Sequence, residues 1–246
     1  MSFGNSANNA HRDIVAKVNE YAANRPRALQ VELGASSIGT SCQRQLAYRL
    51  LGVKSSRGDR DPGWLSQIGT AVHSYLETIF ATDDRYLTEQ PVTIRYNGLE
   101  IPGTVDLYDK QEATVIDFKI VGEDTLSKAR RGQVSTQYQV QVNLYGLGLQ
   151  QAGHVVKNVA ICFLPRNKEL SESIFHQMPL DTQLVDAYLQ RYAATRQLVT
   201  GLGVDALEAT MTANAPCIWC DYYNPNAKTT ATGCTGAILQ RRDTAK

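Results

Sequence analysis

Two adjacent stretches constrain the fold of this 246-residue chain more than any others: Gly103-Thr-Val-Asp-Leu-Tyr108 and, after a short turn, Val115-Ile-Asp-Phe-Lys119. They read as neighbouring β-strands that deliver Asp106, Asp117 and Lys119 to one small volume. Strand side chains alternate between faces, so Asp117 and Lys119 point the same way and Ile116, Phe118 and Ile120 point into apolar packing. On the preceding strand Asp106 shares a face with Thr104 and Tyr108. Two carboxylates and an ammonium are unfavourable to gather at a sheet centre unless a metal ion or a reaction uses them. Two aspartates on neighbouring strands can bind one or two hard divalent cations through oxygen. A surface-facing Asp–Lys pair on an ordinary antiparallel sheet is the structural alternative.

The surrounding pattern alternates helix and strand. Ile14, Val18 and Tyr21 give residues 11–23 a weak helical period, behind ten small polar residues expected to be loose. Residues 42–51 read as a helix after a Ser/Gly/Thr cap region, and 55–63 as a charged loop. From Trp64 to Phe80 the apolar positions Ile68, Val72, Leu76 and Ile79 recur at helical spacing. Residues 86–96 and 99–108 form a hairpin around Asn97-Gly98, a strong turn dipeptide, and a third strand runs through Thr114–Val121. A loop with a local basic cluster, Lys128, Arg130 and Arg131, leads to a helix over 134–151 closed by Gly153. Val159–Leu164 is an apolar, buried strand, 172–178 adds another, and Asp181 caps a helix ending near Gly201. This order predicts an α/β chain with a mixed sheet flanked by helices.

A charge balance of +1 argues against a protein that coats nucleic acid by bulk electrostatics, while leaving room for a local basic groove. The chain has no apolar run of membrane-spanning length and no signal-like N-terminus, so the expectation is a cytoplasmic protein with no membrane partner. Five cysteines, an odd number, make a disulfide framework improbable. Cys162 sits in an apolar strand and reads as a buried hydrophobe. Cys217-Ile-Trp-Cys220 has metal-site spacing and, with Cys234 and the distant Cys42, gives four thiols; incidental thiols are the other reading.

His73, at the border of the Trp64–Phe80 apolar stripe with Glu77 one turn on, and Gln141 and Tyr145, four apart on a later helix, have bland readings as helix-border and packing residues. Taken together, Gly69-Thr-Ala-Val-His73, Gly103-Thr-Val-Asp106, Asp117-Phe-Lys119 and Gln141-Val-Asn-Leu-Tyr145 resemble, in order and spacing, the RecB-like branch of PD-(D/E)XK nucleases over roughly residues 36–236. The resemblance implies a restriction-endonuclease-like α/β core and a DNA exonuclease acting on single-stranded ends. It implies Mg²⁺ or Mn²⁺ held by His73, Asp106, Asp117 and the Phe118 carbonyl, and Lys119 assisting the attacking water. Gln141 and Tyr145 would place the strand or support the site, with Glu77 in an outer role. Tyr108, Tyr138 and Tyr145 could stack on bases, although core packing explains them equally.

The cysteines extend the likeness to the iron–sulfur subset of that branch, the CRISPR-associated Cas-four-type exonucleases and AddB-type helicase–nuclease subunits. By that likeness Cys42, Cys217, Cys220 and Cys234 hold a structural [4Fe–4S] cluster, with Zn²⁺ as the alternative occupant. The thirteen residues between Cys220 and Cys234 are a departure from the usual closer spacing. The expected organisation is a single domain over 1–246, with a nuclease core about 62–180 and a cysteine lobe from about 36–54 and 202–240. Any motor would come from a helicase, recombination or CRISPR-adaptation partner. A non-catalytic DNA-binding or assembly subunit, or a Cys₄ zinc protein, are the rival readings.

Overall fold

A computed structural model describes residues 4–23, 33–54, 64–212 and 217–236. Its centre is a five-stranded sheet in the order β1 (Tyr86–Tyr96), β2 (Leu99–Asp109), β3 (Thr114–Val121), β4 (Asn158–Pro165) and β5 (Ile174–Pro179). Only β3 and β4 run parallel; the other neighbours are antiparallel. The β1–β2 hairpin turns at Asn97-Gly98, whose φ values of 47° and 77° suit the tight turn that matches strand twist.

Packing against the flanking helices, rather than strict alternation in β2, separates the two faces, since Val105 and Tyr108 join one cluster and Leu107 the other. Val92, Ile94, Ile101, Val105, Val115, Val159, Ile161 and Phe163 are buried against the long helix α6 (Thr136–Gln151). Leu107, Ile116, Phe118, Ala160 and Leu164 form the opposite face, covered by Val72, Leu76 and Phe80 of helix α4 (Trp64–Phe80). Ser135 caps α6 by accepting from the Tyr138 N–H, and Asp181 caps helix α7 (Thr182–Leu202) by accepting from the Leu184 N–H. Fully buried Asn143 ties these helices together: its Oδ1 accepts from the Asp181 N–H at 2.7 Å.

A third apolar cluster joins helix α3 (Gln43–Leu50) to the segment after α7. Ala47 and Tyr48 of helix α3 (Gln43–Leu50) pack with Leu207, Tyr222 and Cys234, and the Tyr48 and Tyr222 rings stack at 4.5 Å. Tyr48 also donates its hydroxyl to the Thr230 carbonyl.

The elements follow the sequence reading, with two differences. The N-terminal helix, α1, runs over Gly4–Ala23, so the stretch expected to be loose is helical from residue 4 onward. Extending a nucleated helix by one residue adds a hydrogen bond without repeating the nucleation penalty, which favours this longer span. The basic cluster is not a loop: Glu123–Arg130 is helix α5, with acidic residues in its first turn and basic ones in its last, as the helix dipole favours. Arg130 is neutralised there by Glu123 and Glu172. The expected loop over 55–63 lies outside the described residues.

Candidate active site

The site forms where the sheet opens. β2 and β3 pair only from Leu107↔Ile116 to Asp109↔Thr114, so the ladder ends one step short of Asp106 and Asp117. The Phe118 N–H, lacking a strand partner on that side, donates to Asp106 Oδ2 at 2.8 Å. A buried amide left unpaired would be expensive, and the carboxylate satisfies it while taking a fixed orientation. The β1–β2 ladder is interrupted at the same level: Thr88↔Leu107 and Gln90↔Val105 pair, and Glu89 between them has a left-handed φ of 43°. That backbone is uncommon for a residue other than glycine and marks a strained position. Glu89, Asp106 and Asp117 therefore stand in a row across three strands.

His73 approaches this row from α4, its Nδ1 3.4 Å from Asp106 Oδ1. His73, Glu89 and Asp106 each offer a ligand atom within 4.8 Å of the others. Hydrogen bonding to Asp106 raises the imidazole pKa above its ordinary value, although burial opposes it. Asp117 is 1% exposed, and burial pushes its carboxyl up to about 6 despite the ammonium beside it. Lys119 Nζ donates to Asp117 Oδ1 at 3.1 Å and approaches Oδ2 at 2.8 Å outside hydrogen-bonding geometry. Asp117 Oδ2 is thus a buried oxygen that accepts no hydrogen bond.

A polar chain from α6 positions the lysine. Tyr145 accepts from Gln141 Nε2 at 3.0 Å, Gln141 Oε1 accepts from Lys119 Nζ at 3.2 Å, and the ammonium lies 5.1 Å from the Tyr138 ring centre. Gly103 makes room for this chain, because a Cβ there would stand 2.8 Å from the Tyr145 ring. The glycine of Gly69-Thr-Ala-Val-His73 has no such steric reason, since its Cβ would meet open space.

The structure therefore brings together His73, Asp106, Asp117, Lys119, Gln141 and Tyr145. It adds Glu89, which the sequence reading did not single out. The available signal was its position opposite Asp106 in the predicted hairpin. Glu77, one turn beyond His73, is exposed and stands outside the group of three. Phe118 sits in the parallel ladder opposite Cys162. Tyr108 and Tyr145 are buried, and Tyr108 donates to the Val155 carbonyl, so packing accounts for both; Tyr138 alone of the three is half-buried.

An acidic row with an imidazole at one end and a buried, unsatisfied carboxylate oxygen beside an ammonium suits a hard divalent cation. Oxygen donors with a single imidazole match Mg²⁺ or Mn²⁺ better than a thiolate-seeking metal.

The cysteines lie elsewhere. Cys42 is the residue preceding α3, Cys234 is buried beside Tyr48, and Cys220 packs against the same cluster. The long Cys220–Cys234 separation is closed by a bridge between Tyr223 and Cys234, with the Cys234 N–H donating to Tyr222 O at 2.7 Å. Among the described residues no three cysteine sulfurs lie within 4.8 Å of one another, so an iron–sulfur lobe is not displayed as a gathered ligand set. Cys162 is a half-buried thiol pushed up to about 11 by burial, as expected of an inert packing residue.

A mixed sheet that opens at an acidic pair, with a lysine two residues beyond the second acid, defines a nuclease-type core. The family model of the PD-(D/E)XK nuclease superfamily matches residues 83–224, and the chain belongs to that superfamily. No curated protein matches the chain. Among solved structures, SSO0001 is similar with a TM-score of 0.51 and 15% identity, covering 87% of this chain and 94% of that one. That likeness is one of fold. An alkaline exonuclease from Laribacter hongkongensis has a TM-score of 0.47 and 12% identity, covering 70% of this chain and 92% of its own. A phage-related exonuclease from Haemophilus somnus 129PT has a TM-score of 0.47 and 14% identity, covering 65% and 82%.

Proposed function

We propose that the protein is a metal-dependent DNA nuclease that hydrolyses phosphodiester bonds, acting as an exonuclease on single-stranded ends. The observation that carries the hydrolytic reading is the row Glu89–Asp106–Asp117 at the opening of the sheet, flanked by His73 and Lys119. Exonuclease action and single-strand preference rest on the motif resemblance alone.

His73, Glu89, Asp106 and Asp117 are the residues that would hold Mg²⁺ or Mn²⁺. When bound, such an ion polarises a phosphate and makes a water a better nucleophile. Lys119 supplies a fixed cation next to the place where negative charge grows on phosphorus, and it can hold an attacking water by its remaining N–H groups. Gln141 and Tyr145 act through it: their hydrogen bonds keep the ammonium from collapsing wholly onto Asp117. The Phe118 N–H fixes which Asp106 oxygen remains for a ligand.

The motif resemblance alone supports a structural [4Fe–4S] cluster on Cys42, Cys217, Cys220 and Cys234, with Zn²⁺ as the alternative occupant. A tetrahedral Zn²⁺ would need the sulfurs about 3.8 Å apart.

The reading is tested on end-labelled DNA with Mn²⁺, using linear and circular single strands. The parent should degrade linear strands only, and Asp106→Asn and Lys119→Ala should lose activity by at least about 100-fold with the fold retained. If both variants degrade DNA as fast as the parent, the site assignment is wrong. Cutting of circles would remove the exonuclease part of the reading.

A further inference from the structure

The row of site residues continues past Lys119. Glu89, Asp106 and Lys119 come from β1, β2 and β3, and the next strand in the sheet, β4, runs parallel to β3 with Pro165 opposite Val121. Arg166 follows directly on β4 and donates its backbone N–H to the Val121 carbonyl at 2.9 Å. A cleft of about 530 Å³ opens at this step, walled by Val121, Gly122, Asp124, Thr125, Tyr138 and Arg166. Tyr138 joins it to the site: the Lys119 ammonium stands 5.1 Å from the centre of this half-buried ring, and the same residue lines the cleft.

The charges around the cleft differ in their partners. Arg130 and Lys168 are both held by Glu123 and Glu172. Among the described residues Arg166 pairs with no carboxylate and its guanidinium donates no hydrogen bond. It folds back over Gly122, with Nη2 2.8 Å from where a Cβ would stand. Of the two acids on this wall, Glu123 is taken up by Arg130 and Lys168, and Asp124 is exposed to solvent in the first turn of α5, where the helix dipole favours it. An uncommitted guanidinium beside an aromatic ring suits a single nucleic-acid strand, the cation taking a phosphate and the ring a base.

Spacing selects which phosphate. Val121 stands two residues beyond Lys119, about 7 Å along β3, close to one nucleotide step of an extended strand. With the scissile phosphate at the acidic row and Lys119, the cleft meets the phosphate one step away.

We propose that Arg166 and Tyr138 form a subsite for the neighbouring nucleotide: Arg166 binds the phosphodiester next to the one being cut, and Tyr138 stacks on the nucleotide between them. The inference deepens the nuclease reading given above and rests on it. Both residues bind the strand and stand outside the group formed by His73, Glu89 and Asp106. Their loss therefore weakens binding of the strand rather than the hydrolytic step.

The full-length chain is assayed with Mn²⁺ on short end-labelled thymidine strands that carry one neutral methylphosphonate link, moved one step at a time along the strand. The comparison set is Arg166→Gln, Arg166→Lys, Tyr138→Phe and Tyr138→Leu, with far-UV circular dichroism to verify folding. Arg166→Gln should raise KM on the unmodified strand about tenfold with kcat within about twofold, and Arg166→Lys should stay closer to the parent. In the parent a neutral link one step from the cleaved bond should raise KM by a similar factor. Arg166→Gln should lose the penalty of that one link and keep those of the others, as expected of two groups in direct contact. The dependence of log KM on log salt should become shallower by about 0.7 in Arg166→Gln, the share of one phosphate on a single strand. Tyr138→Leu should raise KM about tenfold with the parent's salt dependence, and Tyr138→Phe should match the parent. An unchanged KM in Arg166→Gln, or penalties that add to it at every link position, overturns the inference and leaves the nuclease reading intact. A parent chain that leaves the unmodified strand uncut overturns the nuclease reading and the inference with it.

Discussion

Replacing Asp117 with asparagine should make the metal-free protein more stable near neutral pH while removing its capacity for catalysis. Asp117 is 1% exposed, and burial lifts its carboxyl from an ordinary 3.8 to about 6. A folded-state pKa above the unfolded value means that the folded chain binds the proton more tightly. Stability from this group is therefore full below about pH 4, declines as pH rises towards 6, and stays low above it. At about 1.4 kcal/mol per tenfold change in proton affinity, keeping this carboxylate ionised at pH 7 costs about 3 kcal/mol. Asparagine removes that penalty. It also removes the ion pair with Lys119, whose ammonium keeps Gln141 Oε1 and the Tyr138 ring. That pairing is already contained in the shift, because the ammonium holds the carboxyl below where burial alone would take it, so the net gain stays at about 3 kcal/mol. Urea unfolding in the presence of a chelator, at pH 4 and at pH 7.5, measures the difference between the two proteins. The variant should gain on the parent as pH rises. A difference that stays constant between the two pH values, or that moves in the parent's favour, refutes the reasoning. The same burial gives metal a role in stability, because a divalent cation on the acidic row would offset the penalty that asparagine removes.

Three further substitutions probe the site's geometry. Glu89→Gln should weaken Mn²⁺ binding by about tenfold or more in calorimetric titration, and Glu77→Gln should leave it within about twofold; the reverse order would reject Glu89 as a ligand. Gly103→Ala places a methyl 2.8 Å from the Tyr145 ring, so it should destabilise the fold by about 1–3 kcal/mol in urea unfolding and lower the rate on DNA by displacing the Tyr145–Gln141–Lys119 chain. An alanine variant with parental stability and rate would show that this chain does not position the lysine.

The sequence by itself determined most of the elements, helix α5 and the first turns of α1 excepted. Period-two alternation in residues 86–121 and the Asn97-Gly98 turn set the hairpin and third strand, because strand pleat and turn chemistry are local properties. Ordered short motifs single out His73, Asp106, Asp117, Lys119, Gln141 and Tyr145, which the fold gathers where the sheet opens. Tertiary structure alone decided what depends on register across strands. It decided that the β2–β3 ladder stops beside Asp106, that Glu89 takes a left-handed backbone opposite it, and that Glu77 stays outside the group. It likewise decided that the long segment after Cys220 folds back so that Cys234 bridges Tyr223. These features belong to pairs of residues far apart in the chain, and no local period or propensity encodes which partner a strand edge, a thiol or a guanidinium will meet.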